Sequence, residues 1–534
     1  MTTIYINQSG YITDGTKRAV LINPAKKFDV LDESGASVFS GNVKHFGNDE
    51  YSGDDVYTAD FSEFVSEGKF TLRTDNGETS EVFEIGANPY DKLFDDVSKA
   101  YYFLRCGCGL DEKHAGVYKH DICHHTKAVL WEDNSVEVEA SGGWHDAGDY
   151  GRYVTAGAVA AAHILYGYVL YPTAFDKQNL NIPESGKGMP DMLSECRYEL
   201  EWIMKMQRAD GGVYHKLTTK GHAAFVMPED DKGQLYVLPV SSMATADTAA
   251  VFALAYRVYK KYDSDFADRL LAAAEKSAEW LDANPDYLFN NPKECTTGGY
   301  GEWRDEDNRF WAYAELFAAT GNEAYHDKMK QMLELEIQLT QLGYASVAGL
   351  GVLAYLTCGN ESCEKDLLDI FTSAYVSEAE WLAYLADKNG YNAAMNLNHF
   401  GWGSNMNLMK HGMVFAIATT FGKKDYTEYA QKQLDVLMGV NALGISYVTG
   451  NGYYRCNYPH LRPTATDGIE ECIPGMVIGG PNQNPVEPTA RDFIPAGTPP
   501  MKSYVDREEF YSLNEITIYW NSPVVFTIAF FLNK

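Results

Sequence analysis

The chain has 534 residues, beyond the ~250–300 at which a single core usually stops growing, so its length points to two domains. Apolar residues make up 45% and charged residues 22%, a globular balance that excludes a disordered chain. Acidic residues outnumber basic ones 74 to 44, and a charge of −30 excludes nucleic acid and membrane surfaces as partners while suiting a neutral substrate.

The opening MTTIYINQSGYITDGTKRAVLI has no basic stretch followed by an apolar one. No run approaches the ~18–20 apolar residues of a membrane span. A cytoplasmic protein is expected, or a secreted one if a leader has been removed. Residues 1–86 read as strands: VLDESGASVFSG, DVYTADFS and GKFTLRTDNGETSEVFEIG alternate in short runs between DESG, SEGK and DNG turns. Several strands in so short a stretch predict a small immunoglobulin-like β-sandwich.

At GANPYDKLF the register changes, and residues 87–534 read as helices. Helix-length segments fall near 92–106, 153–170, 190–207, 243–261, 264–283, 308–320, 323–340, 343–356, 362–384, 405–420, 424–438 and 514–531. About twelve helices without alternating strands disfavour a Rossmann or TIM architecture and fit six helical hairpins closed into an (α/α)6 barrel. The expected fold is therefore mainly α, a barrel preceded by a small β-sandwich. Between about 441 and 512 no helix is convincing, and nine of the 19 prolines lie between 459 and 500. Tyr453, Tyr454, Tyr458, His460 and Arg462 make this an ordered wall of a binding site rather than a disordered loop.

Two segments could carry chemistry. In SGGWHDAGDYGRYV (141–154), Asp146 and Asp149 sit among glycines and aromatics. A turn at Gly148 could aim both into one cleft, where repulsion and hydrogen bonds separate their pKa values. A helix cap with first-turn acids is the competing reading. In YVDREEFYSLNEITIYWNSPVVF, Glu515 opens the last apolar helix, either as a first-turn charge or as a general acid kept protonated by aromatic neighbours.

Together these segments resemble glycoside hydrolase family 9, the β-glucanases often called family 9 cellulases. SGGWHDAGDYGRYV and NEITIYWNSPVVF are similar to the family's two signatures. LEWIMKMQRADGGVYHK, FWAYAELFAATGNEAYHD, WGSN and GPNQNP follow the family's order between them. The β-rich front resembles the immunoglobulin-like module of one subgroup. The resemblance implies an inverting hydrolase of β-1,4-glucosidic bonds, with Asp149 as general base, Asp146 helping to hold the water and Glu515 protonating the leaving oxygen.

His460 and Arg462 in YPHLRP match the family's substrate motif, with Leu461 where a second histidine is usual, and Tyr511 matches its aromatic residue before the acid. Neutral sugars are gripped by aromatic faces and planar donors, and Trp144, Tyr300, Trp303 and Trp402 are candidate platforms. Cys106, Cys123 and His124, with His145 beside the first aspartate, make a Cys₂His₂ set for structural zinc, a site the resemblance strengthens; Cys108 and His125 are rival ligands. The nine cysteines form no disulfide framework, and CGNESC (358–363) is read as no metal site.

Calcium is expected at TATDGIE, through Thr464 and Asp467; at DEDNR, Asn308 and Arg309 stand where an acid is expected. The expected partner is a β-glucan oligosaccharide bound by a monomer, cleaved from a chain end or internally. A chitosan oligosaccharide is the alternative, which needs a further carboxylate such as Glu302 or Asp305.

Overall fold

The computed structural model describes residues 3–533. Its front is built from eight strands: β1 (Ile4–Tyr5), β2 (Tyr11–Ile12), β3 (Arg18–Leu21), β4 (Lys27–Leu31), β5 (Ser37–Asn48), β6 (Asp55–Asp60), β7 (Gly68–Thr74) and β8 (Phe83–Gly86). They run in the order β1-β3-β6-β5-β4-β7-β8-β2, antiparallel except for the β2–β8 pair. The long β5 pairs with β4 through its first half and with β6 through its second, joining the two halves into one folded-over sheet.

Strand alternation explains how this module attaches to the rest. On β3, Ala19 and Leu21 face the module's own core with Phe28, Phe61 and Leu72, whereas Val20 joins the helical core. Arg18, on the same face as Val20, donates from Nη2 to the carbonyl of Tyr391 at 2.5 Å. Asn7 likewise donates to Asp435 at 2.8 Å.

Among the described residues, twelve helices of nine residues or more follow: α1 (Asp91–Phe103), α2 (Val154–Leu170), α3 (Asp191–Lys205), α4 (Ser242–Tyr259), α5 (Ser264–Ala283), α6 (Glu306–Thr320), α7 (Glu323–Leu333), α8 (Ala348–Leu356), α9 (Lys365–Asp387), α10 (Ser404–Phe421), α11 (Thr427–Leu437) and α12 (Ile518–Leu532). The even-numbered helices are largely buried, whereas odd ones such as α5 and α7 bury one stripe. Helix α2 packs on α4 and α12, α4 on α6, α6 on α8, and α10 on α12, while α9 touches both α8 and α10. Each of α1, α3, α5, α7 and α11 backs chiefly one even-numbered helix, α5 also touching α6 and α11 also touching α12. Small residues on α2 permit this closeness: a Cβ on Gly157 would lie 2.1 Å from a Glu199 carboxylate oxygen.

Three helix boundaries differ from the expectation by more than three residues. Segment 323–340 ends at Leu333, and segment 343–356 begins at Ala348. Segment 514–531 begins only at Ile518, because residues 515–517 are extended and bridge to His460, Ile478 and Ala147. A five-stranded sheet inside the helical region (128–130, 137–138, 152–153, 216–218 and 236–237) was not expected; its strands of two or three residues are too short to show a period. The 441–512 stretch, expected as a wall, is tied by backbone hydrogen bonds to α11 and to residues 513–515, and none of its residues lines the main cleft. No described helix is long and apolar enough to cross a membrane.

Candidate active site

The Asp146–Asp149 turn is clamped from two sides. The Asp146 carbonyl accepts the amide of Ile518 at 2.9 Å, and the Gly148 carbonyl accepts Nη1 of Arg462 at 2.6 Å. Position 148 must be glycine, since a Cβ there would sit 1.8 Å from the carbonyl oxygen of His460. The helix-cap reading of the aspartates fails, because α2 begins after Tyr153. Glu515 is not a first-turn charge either. It caps the short helix Tyr511–Asn514 in an extended conformation and pairs with His460 and Gly479 of the wall.

These turns bring Asp146, Asp149 and Glu515 onto one cleft of about 410 Å³, lined also by Tyr153, His222, Tyr300, Tyr344, Trp402 and Tyr519. The carboxylates have different partners. Asp149 lies 2.9 Å from Nδ1 of His222 and accepts from the Tyr153 hydroxyl at 3.3 Å. Asp146 accepts the Tyr300 hydroxyl at 2.5 Å on one oxygen, while its other oxygen is buried without a partner. Tyr300 holds that position with a positive φ of 47°, a conformation unusual for a bulky side chain and common at functional sites. Glu515 accepts from Nε1 of Trp402 at 3.1 Å.

Electrostatics separates the three groups. Burial pushes Asp149 up, but the hydrogen bond and charge of His222, the Arg462 charge and the Tyr153 hydroxyl together hold it below the usual carboxylate range. Burial raises Glu515 well above it, the charges of Asp149 and Asp146 raise it further, and Trp402 opposes them only in part. Burial likewise lifts Asp146. The cleft thus biases Asp149 towards its ionised form and Glu515 and Asp146 towards their protonated forms, a separation of the kind acid–base catalysis uses.

The expected sugar contacts fare unequally. Trp402, 46% exposed, faces the cleft and lies 5.2 Å from Tyr511, which is 5.7 Å from His460 (ring centroids). Phe225 continues this aromatic rim, 5.2 Å from His460. Tyr300 lines the cleft, whereas Trp303, 97% exposed, stands outside the lining. Trp144 is corrected: only 1% exposed, it packs on Tyr101 and donates to Glu195 at 2.9 Å, so no face remains for a sugar. Arg462 is 6% exposed and donates through Nε to the carbonyl of Ala223 and through Nη1 to that of Gly148, so two of its three nitrogens hold the turn. Leu461 is buried in the helical core. His222, Tyr153, Tyr344 and Tyr519 were not singled out from the sequence. His222 arrives on a loop with no diagnostic spacing, whereas Tyr153 and Tyr519 lie inside the two quoted segments.

Cys106, Cys123, His124 and His145 are all buried, with ligand atoms within 4.8 Å of one another. The group fits a tetrahedral metal on its own chemistry: Nδ1 of His124 and Nε2 of His145 are buried nitrogens without partners. Nε2 of His124 meets Asp231 at 3.2 Å, the outer carboxylate that orients a ligating imidazole. The rivals fall away, since His125 points to solvent and Cys108 lies outside the group. Thr464 accepts the amide of Ile473 and one Asp467 oxygen accepts that of Ile469, while the other Asp467 oxygen is buried without a partner, a donor set from which calcium would take oxygen ligands. Neither Glu302 nor Asp305 lines the cleft, and Asp305 is paired with Arg309 at 3.0 Å.

The glycosyl hydrolase family 9 model matches residues 90–528, and a cellulase N-terminal ig-like domain matches residues 1–79. The chain belongs to glycosyl hydrolase family 9. This family 9 chain is 45% identical to a cellodextrinase of Butyrivibrio fibrisolvens, across 99% of each chain. Among solved structures it is similar to a single mutant of the thermostable endoglucanase of Alicyclobacillus acidocaldarius, with 33% identity, TM-score 0.94 and complete coverage of both chains. It also resembles a Zn-binding triple mutant of the family 9 endoglucanase J30, with 31% identity, TM-score 0.93 and coverage of 97% and 99%. The family 9 chain is a glycoside hydrolase with an Ig-like β domain ahead of its helical catalytic domain.

Proposed function

We propose that the protein cleaves β-1,4-glucosidic bonds of cellodextrins and related soluble β-glucans with inversion, acting as a monomer. The observation that carries this reading is the opposite displacement of Glu515 and Asp149 across one cleft. Glu515 protonates the glycosidic oxygen as the bond breaks. Asp149 takes a proton from the water that attacks the opposite face of the sugar ring, and Asp146, held by Tyr300, accepts a hydrogen bond from the same water. Trp402, Tyr511 and His460 offer surfaces for neighbouring sugar units.

The even and odd helices are read as the inner and outer rings of an (α/α)6 barrel, with the division from the β module near residue 86. We read the Cys106, Cys123, His124 and His145 group as a structural zinc site. Bound there, zinc supplies cross-linking rather than chemistry: it fastens the 106–124 segment to His145, the residue before Asp146. The 45% identity to a cellodextrinase supports short soluble glucans as substrates, and no observation favours the chitosan alternative.

The test is product analysis on end-labelled cellotetraose and cellopentaose beside chitosan oligomers. Cleavage of the cellodextrins alone supports the reading, and the label pattern separates end-trimming from internal cuts. Turnover of chitosan oligomers without turnover of cellodextrins contradicts it.

A further inference from the structure

Among the described residues, the turn between α8 and α9 carries the one cysteine pair that is both in contact and open to solvent. Six of the nine cysteines are buried, including Cys106 and Cys123 of the metal group and the adjacent Cys456 and Cys472. Cys108, Cys358 and Cys363 are partly exposed, and Cys108 lies against Cys123. The Cys363 thiol interacts with that of Cys358. The turn is shaped to bring them together. Gly359 takes a positive φ of 65°, a conformation that glycine adopts without a Cβ clash. Asn360 accepts the Cys363 amide on its carbonyl at 3.1 Å and the Ser362 amide on its side chain at 3.0 Å. The Cys358 amide donates to the Tyr355 carbonyl at 3.3 Å, and the Glu364 amide donates to the Tyr355 hydroxyl at 2.7 Å. One tyrosine of α8 thus ties both ends of the turn. Neither cysteine lines the cleft or belongs to the Cys/His group.

We propose that Cys358 and Cys363 are a modification site, a thiol pair that closes to a disulfide by exchange with a small soluble disulfide. The proposal is independent of the glucan reading. Burial and the Cys358 thiol push Cys363 up to about 12, so Cys363 keeps its proton and Cys358 reacts first. The Cys358 thiolate attacks one sulfur of the small disulfide, forms a mixed disulfide and releases one thiolate. With Cys358 no longer a thiol, one cause of the Cys363 displacement is gone. Cys363 then gives its proton to water and attacks the Cys358 sulfur, releasing the second small thiolate. Two protein thiols are oxidised and one small disulfide is reduced to two thiols. The closed ring straps the end of α8 to the start of α9, and it forms in oxidising surroundings and opens in reducing ones.

The sequence makes the test clean. No lysine or arginine lies between Lys330 and Lys365, so trypsin releases both cysteines, and no others, on the single peptide 331–365. The full chain is incubated with glutathione disulfide or with dithiothreitol, alkylated with iodoacetamide, digested and weighed. Expected after glutathione disulfide is a peptide that takes no alkyl group and is lighter by two hydrogens, against two alkyl groups after dithiothreitol. Two alkyl groups after both treatments overturn the proposal. So do two glutathione adducts on one peptide, or a bond between the peptides of two chains, because the thiols would then not meet within the turn. Cys363→Ser should collect one glutathione on Cys358 roughly tenfold faster than Cys358→Ser collects it on Cys363. Equal or reversed rates overturn the order of attack. Closure should also raise the melting temperature, reversibly with dithiothreitol, since a closed ring restricts the unfolded chain. A rise of the same size in Cys358→Ser would contradict the strap.

Discussion

The indole Nε1 of Trp402 lies 3.1 Å from Oε2 of Glu515, so one side chain both lines the cleft and donates to the carboxyl proposed as the acid. That hydrogen bond lowers the Glu515 pKa against the larger upward push of burial and of the two aspartates. Trp402→Phe keeps an aromatic face and removes the donor. Glu515 then titrates higher, and the alkaline limb of the kcat/KM profile moves to higher pH. The rate at the optimum falls by about tenfold, because a weaker acid is a poorer proton donor. An unmoved alkaline limb would show that Trp402 does not tune this acid.

His222 acts on the other carboxylate. Its Nδ1, 2.9 Å from Asp149, contributes to holding that group below the usual carboxylate range. Removing it with His222→Ala lets burial dominate, so Asp149 rises and the acid limb of kcat/KM moves to higher pH. The loss should be greatest in acid, where the base is then protonated, and on the order of tenfold to a hundredfold. A uniform loss at every pH would assign His222 to substrate contact alone.

Gly148 tests the clamp. Any side chain there meets the His460 carbonyl at 1.8 Å, which is backbone and has no rotamer to give. Gly148→Ala should lower the melting temperature by the equivalent of about 1–3 kcal/mol. It should cost more in kcat than in KM, because the turn that carries both aspartates shifts. Differential scanning calorimetry with steady-state kinetics checks both.

The Cys/His group makes a claim about metal. Plasma mass spectrometry of the purified protein should find one zinc per chain, absent from Cys123→Ser and removed by a strong chelator. Loss of the metal should lower the melting temperature and, with it, kcat, since His145 adjoins Asp146 in the chain. A protein that retains its melting temperature after zinc is stripped would contradict the strap role.

Much of this site was legible because its three carboxylates sit in short segments dense in glycine and aromatic residues, and the Cys–His set lies beside one of them. The twelve helices were legible for a different reason, as long periodic runs bounded by turns. What escaped depends on three-dimensional meeting. His222 is one histidine in a loop, and only the structure shows Asp149 opposite it. Trp144 and Trp402 are the same residue type near the same site, yet one is a pillar against Tyr101 and the other faces the cleft. The α7 reading overran because Leu335, Ile337 and Leu339 continue its apolar spacing beyond Leu333, where the helix ends. Glu515 was placed on a helix because the apolar run is continuous; pairing with the wall makes residues 515–517 extended.

The central claim is that Glu515 and Asp149 act on opposite faces of one sugar unit. Proton NMR of cellotetraose hydrolysis, followed from the first seconds beside Glu515→Gln, tests it most directly. The account predicts that the new reducing end appears first as the α-anomer and then mutarotates, and that the variant releases almost none. Initial release of the β-anomer would mean retention through a covalent intermediate, and would contradict the assignment of Asp149 as the base that activates water.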